Sequence, residues 1–178
     1  MSDSSIKRTK SKWAGKLRAE WCRIDLKCVI IGAVIVLLCG FLSALAGGST
    51  EAFQKLIKPK GTPPAFLFPI IWIILYLLIG GAAGAIAGVK ERSLEAAKYR
   101  GLFYFVLQMI VNFVWSPLFF GSGAYLIALL AIFAMILLTL MTILYFKRIY
   151  TLPAIAMGIY FVWLLYACYL NFGIVLLN

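Results

Sequence analysis

GLFYFVLQMIVNFVWSPLFFGSGAYLIALLAIFAMILLTLMTILYF, residues Gly101–Phe146, contains no Asp, Glu, Lys, Arg or His. A helix needs about 20 predominantly apolar residues to cross the hydrocarbon core of a bilayer. The run is therefore long enough for two crossings, and GSGAY (Gly121–Tyr125) supplies the break between them. Inside its first half, NFVWSPLFFG (Asn112–Gly121) carries an amide, a hydroxyl and a proline without a backbone donor. Lipid tails offer such groups no hydrogen-bond partner, so this part of the helix has to face protein or end near the interface.

Three further uncharged stretches, Cys28–Thr50, Gly61–Val89 and Ile149–Asn178, each accommodate one span. The pattern predicts an all-α, five-transmembrane-helix bundle over residues 28–178, preceded by a basic leader over residues 1–27. The spans are expected near Cys28–Ala46, Ala65–Val89, Gly101–Phe120, Ala124–Phe146 and from Pro153 onward. Of the 178 residues, 64 % are hydrophobic and 13 % charged. A soluble domain of this size needs more polar surface than that. The leader is too long and too interrupted for a cleavable signal peptide, and no small-residue cleavage site follows a short apolar core. It reads as cytosolic and partly disordered. Trp13–Leu26 fits either a basic interfacial helix or a solvated tail.

The net charge of +11 is unevenly placed. Residues 1–27 hold eight Lys/Arg, Lys90–Arg100 hold four, and Lys147 and Arg148 follow the fourth span. The other side holds only Lys55, Lys58 and Lys60. The positive-inside rule then places the N-terminus in the cytosol and the C-terminus outside, in a membrane such as the bacterial plasma membrane. The same residues would meet anionic lipid headgroups, and no nucleic-acid motif accompanies them. Cys22, Cys28, Cys39 and Cys168 show no paired spacing and read as packing thiols. Gly80, Gly84 and Gly88 recur every fourth residue on the second span, which fits close packing inside the bundle or a dimer contact. Pro64 suits the first turn of that helix.

The chain has no histidine, and none of its six acids lies in an uncharged stretch. An intramembrane carboxylate or histidine proton relay, a histidine general base and a His/Cys/carboxylate metal site are all excluded. No metal ligand set and no cofactor are expected. Amides and aromatics remain. Gln108, Asn112, Trp115 and Phe119 share one face of the third span, and Tyr160, Trp163, Ala167 and Asn171 share one face of the fifth. Trp72 and Tyr76 share one face of the second. If the three faces converge, they enclose a pocket for a flat apolar ligand. The alternative is structural: interfacial aromatics, with amides tying helices together for roughly 0.6–2 kcal/mol each.

KPKGTPPAFLFPIIWIILY (Lys58–Tyr76), QMIVNFVWSPLFFG (Gln108–Gly121) and WLLYACYLN (Trp163–Asn171) together resemble the TspO/MBR family, the tryptophan-rich sensory or translocator proteins, also called peripheral-type benzodiazepine receptors. The resemblance covers about residues 28–178. It implies a five-helix bundle, often a homodimer, with a cavity toward the loop between spans one and two. It further implies binding of porphyrins of the protoporphyrin IX type, of isoquinoline carboxamide and benzodiazepine drugs and, in some members, of cholesterol, with a sensing, regulatory or tetrapyrrole-handling role. Other roles implied are light- and oxygen-dependent porphyrin breakdown, which would rest on Trp72 and Trp163, and facilitated transport of an apolar ligand. By motif match the cavity residues are Trp72, Tyr76, Asn112, Trp115, Trp163, Ala167 and Asn171. The sequence departs from the family where Ala52 and Phe53 replace Trp-Tyr, Gly61 and Phe66 replace loop tryptophans, Ile159 replaces a proline and Phe172 replaces the tyrosine of the fifth-helix cholesterol motif.

Overall fold

The computed structural model describes residues 14–48 and 51–178, without the side chains of residues 51 and 52. Of the leader expected to be partly disordered, residues 1–13 lie outside the described residues, and the rest is ordered in part. Residues 14–21 form a short helix, α1. It leads into α2 (Leu26–Ala46), α3 (Glu51–Lys55), α4 (Leu67–Ala87), α5 (Glu95–Ser116), α6 (Tyr125–Phe146) and α7 (Thr151–Leu177). There is no strand among the described residues, and α2, α4, α5, α6 and α7 are each long and apolar enough to cross a membrane. The protein is an all-α integral membrane bundle.

Local chemistry moves several boundaries from where the sequence suggests. The Asp25 carboxylate accepts from Lys27 N–H at 3.0 Å, and this N-cap starts α2 two residues early. Residues 95–100, expected as loop, are the first turns of α5, reached through a 3₁₀ turn at Arg92–Leu94. Glu95 in that first turn complements the helix dipole, and Lys98 Nζ reaches back 2.8 Å to the Val89 carbonyl. Pro64 lies in the turn before α4, its carbonyl accepting from Leu67 N–H at 3.0 Å. Pro69 takes the first-turn position assigned to Pro64, where a missing donor is harmless.

The glycine ridge faces inward. A Cβ on Gly84 would run into the Cys28 carbonyl of α2 and come within 3.0 Å of Val29 Cα. One on Gly80 would lie 2.6 Å from the Gly32 carbonyl oxygen. The two backbones therefore touch along this ridge, and the dimer reading of these glycines gives way to packing inside the bundle. From α4 the ring continues to α7 through Trp72 and Trp163, whose ring centroids are 6.5 Å apart. It passes to α6 through Tyr160 and Met135. Phe146 of α6 stacks on Phe105 of α5 at 6.3 Å. Ser43 closes the ring from α2 to α5 with a 2.6 Å hydrogen bond to the Phe113 carbonyl.

The described part of the leader is seated on this bundle. Glu20, buried to 9 % exposure, accepts from Thr151 N–H at 2.7 Å, Thr151 Oγ1 at 2.9 Å and Leu152 N–H at 3.2 Å. A carboxylate thus caps the free N–H groups at the start of α7. Lys16 of α1 lies 3.9 Å from the same carboxylate.

Gly84→Ala is expected to lower stability by about 1–3 kcal/mol, the usual cost of forcing atoms into a packed contact. Gly158→Ala, with nothing within 4 Å of the new Cβ, should not. Thermal unfolding of the two variants in detergent checks the contrast. Glu20→Ala should cost about 1 kcal/mol as a lost cap and make Lys16 and Arg18 cleavable by trypsin before the bundle unfolds. Unchanged trypsin resistance would contradict the docking.

Candidate ligand cavity

Pro117 explains the position of the site. It cannot donate to the carbonyl one turn back, at Phe113, and an unpaired carbonyl inside a bilayer is costly. The Ser43 hydroxyl fills that vacancy from α2. Beyond Pro117 the chain widens into a π-helical turn, Pro117–Gly121, in which Ser122 N–H bonds to the Pro117 carbonyl at 3.0 Å. Single π turns re-aim side chains. Here the turn stacks Phe119 on Trp115 at 4.9 Å and sets Phe120 edge-on to Trp115 at 5.9 Å.

These rings border a cavity of about 870 Å³ between α2, α3, α4 and α5, within the ~300–1,000 Å³ range of small-molecule sites. Trp72, Tyr76, Asn112 and Trp115 line it, together with Ser43 and Ser116. Among the described residues, no Asp, Glu, Lys or Arg side chain lines it. Trp72 lies 5.2 Å from Tyr76 and 6.4 Å from Trp115, centroid to centroid. The polar wall is a chain of hydrogen bonds. Tyr76 Oη donates to Asn112 Oδ1 at 2.9 Å, and Asn112 Nδ2 donates to Tyr160 Oη at 2.8 Å. Tyr160 is fully buried and Asn112 2 % exposed, so this amide joins α4, α5 and α7 in a dry core. Trp115 Nε1 is buried without a partner among the described residues.

The remaining residues singled out from the sequence lie elsewhere. Trp163 stands behind Trp72, edge-on to it and to Phe68, and is not part of the cavity wall. Ala167 packs against the main core cluster beside it. Gln108 is fully buried and accepts from Thr139 Oγ1 at 3.4 Å, tying α5 to α6. Asn171, oriented to satisfy both neighbours, donates to the Tyr125 carbonyl at 3.0 Å and accepts from Leu129 N–H at 3.2 Å. Gln108 and Asn171 are therefore helix ties in this arrangement. Sequence reasoning had assigned no cavity residue to the first span. Gly32, Val36, Gly40, Ser43 and Gly47 follow spacings of four, four, three and four, a small-residue face that would have revealed it. Gly40 is needed there, because a Cβ would strike the Tyr76 ring.

The profile of the TspO/MBR family matches residues 31–177. The chain belongs to the TspO/MBR family. Among curated relatives, the tryptophan-rich protein TspO of Chlorobaculum tepidum is 32 % identical over 126 residues, 71 % of this chain and 78 % of that protein. Protein CrtK of Rhodobacter capsulatus is 29 % identical over 145 residues, 78 % and 89 % of the respective chains. A translocator protein homolog of Schizosaccharomyces pombe is 29 % identical over 149 residues, 82 % and 89 %. The family match takes in nearly all of the five spanning helices and leaves out α1, including the Glu20 cap.

Ser43→Ala should cost about 1–3 kcal/mol, because it strands the Phe113 carbonyl. Adding Pro117→Ala restores an intrahelical donor and should recover most of that loss. A double-mutant cycle on thermal stability reads the coupling.

Proposed function

We propose that this protein is a membrane receptor that holds a porphyrin, or a similar flat and mostly apolar molecule, in the cavity between α2, α4 and α5. The observation carrying this is the meeting of Trp72, Tyr76 and Trp115 on one cavity whose described wall residues carry no charge. Stacked and tilted rings present π faces to a planar ligand, while the hydrogen-bonded Tyr76–Asn112 pair gives the cavity one polar border. The printed name of the relative from Cereibacter sphaeroides, tryptophan-rich sensory protein, supports a sensing role over a metabolic one. Breakdown of the ligand by paired indoles is the less supported reading, since Trp163 stands behind Trp72 and off the cavity wall. Ion-coupled transport has no ionisable group in the apolar stretches to work with. The distribution of fourteen basic residues against three supports a cytosolic leader end and an external loop between α2 and α4.

Protoporphyrin IX should quench the protein's tryptophan fluorescence saturably. Trp72→Phe and Trp115→Phe should each weaken binding by roughly two- to tenfold, the worth of one aromatic contact. Trp163→Phe should matter less. Quenching that does not saturate, or that all three variants leave unchanged, would defeat the assignment.

A further inference from the structure

We propose that the cavity is loaded sideways from the bilayer, through a gap between α2 and α4, and that its ligand is an amphiphile whose carboxylate stays outside at Lys58. This rests on the binding reading above and adds a route and an orientation to it.

Three observations carry the route. First, α2 and α4 are in backbone contact where Cys28 and Gly32 meet Gly84 and Gly80, but further along the Tyr76 ring stands between them, against Gly40. The helices are thus closed at the leader end and wedged at the loop end. Second, the residues bordering the cavity at the wedged end also form the outer surface. Leu38, Phe41, Phe66 and Ile73 line the cavity and are 58 %, 61 %, 66 % and 49 % exposed. On a spanning bundle such apolar exposure faces lipid. Third, the loop between α3 and α4 is fastened away from this opening. Tyr166 Oη donates to the Gly61 carbonyl at 2.7 Å and Tyr169 Oη to the Lys60 carbonyl at 2.8 Å. Asn178 pairs with both Ile57 N–H and the Ile57 carbonyl at 3.0 Å. All of these anchors belong to α7 or its C-terminal cap, on the side of α4 away from α2, and no residue from Gln54 to Pro64 lines the cavity.

The orientation follows from charge. Among the described residues the cavity wall holds no cation, so a carboxylate drawn fully inside would lose its hydration without a partner. Lys58 Nζ lies 5.0 Å over the ring of Phe53, a buried wall residue, and donates to the Gln54 carbonyl at 3.1 Å. It offers a positive charge at the edge of the apolar chamber. A ligand with a flat apolar body and an acidic edge satisfies both zones at once.

The test delivers protoporphyrin IX from donor vesicles to the full-length protein in liposomes and follows tryptophan quenching in time. Narrowing the gap with Leu38→Phe and Ile73→Phe should slow association and dissociation together, each by at least about threefold. A merely lost contact would speed dissociation instead. Widening it with Leu38→Ala and Ile73→Ala should speed association, so a folding defect in the narrowed pair does not shield the proposal. Freeing the loop with Tyr166→Phe and Tyr169→Phe should leave the association rate unchanged. Rates indifferent to the gap, or raised by freeing the loop, would overturn the route. Lys58→Gln should weaken protoporphyrin IX about two- to fivefold, the worth of one exposed ion pair, and leave its dimethyl ester unaffected. Equal losses for both compounds would overturn the orientation. Wild-type protein showing no saturable quenching would remove the binding reading itself, whereas saturable binding at gap-independent rates would remove only the route.

Discussion

The backbone contact of Cys28 and Gly32 with Gly84 and Gly80 sets the geometry of everything around it. No hydrophobic force presses helices together in lipid, so close packing and polar ties have to do it. Removing side chains at these positions lets α2 approach α4 along one end. Tyr76 is too large to be accommodated in the same way at the other end, even with Gly40 opposite. Two stiff helices that touch at one point and are wedged at another must diverge. The cavity is the space left by that divergence, and the indoles at its edge fill only part of it.

Several polar groups in the hydrocarbon region sit where another helix supplies a partner. Ser43 meets the carbonyl that Pro117 leaves free. Asn112 spends its oxygen on Tyr76 and its nitrogen on Tyr160. Gln108 meets Thr139, and Asn171 meets the first turn of α6. Of these, Ser43 borders the cavity, and so does the Asn112 group, through Tyr76 and Asn112. Structural tie and ligand recognition are therefore not competing readings at this position. The same amide that fixes three helices also gives the cavity a preorganised polar border.

What was legible in the sequence was whatever depends on periodicity and charge. Uncharged length gave the five spans, and the third-span face Asn112–Trp115 was found at the cavity because helical spacing alone fixes it. Gln108 and Asn171 share faces with cavity residues but sit at depths where α6 reaches them first, and spacing cannot show which neighbour arrives. The cavity wall from α2 was missed for a different reason. Sequence reading weighs residues that carry chemistry, whereas Gly40 contributes by lacking a side chain. The start of α5 was missed because Glu95, Lys98 and Arg100 signal loop by charge, although they lie on a helix that has left the apolar zone.

The placement of the anchors decides which helix is free to move. The first N–H groups of α7 are capped by Glu20, and its C-terminal Asn178 is paired with Ile57. Trp72 and Tyr160 add contacts along its length. α4 is the most buried of the spanning helices, and α2 the least. At the loop end α2 is tied across the bundle by Ser43 to the Phe113 carbonyl. The outer half of α2 is therefore the least buried and least tied wall of the cavity, whereas α4 and α7 are held along their length. Pro117 then has a second consequence: the Phe113 carbonyl it leaves without a helical donor is the acceptor through which Ser43 fastens the outer half of α2 to the bundle.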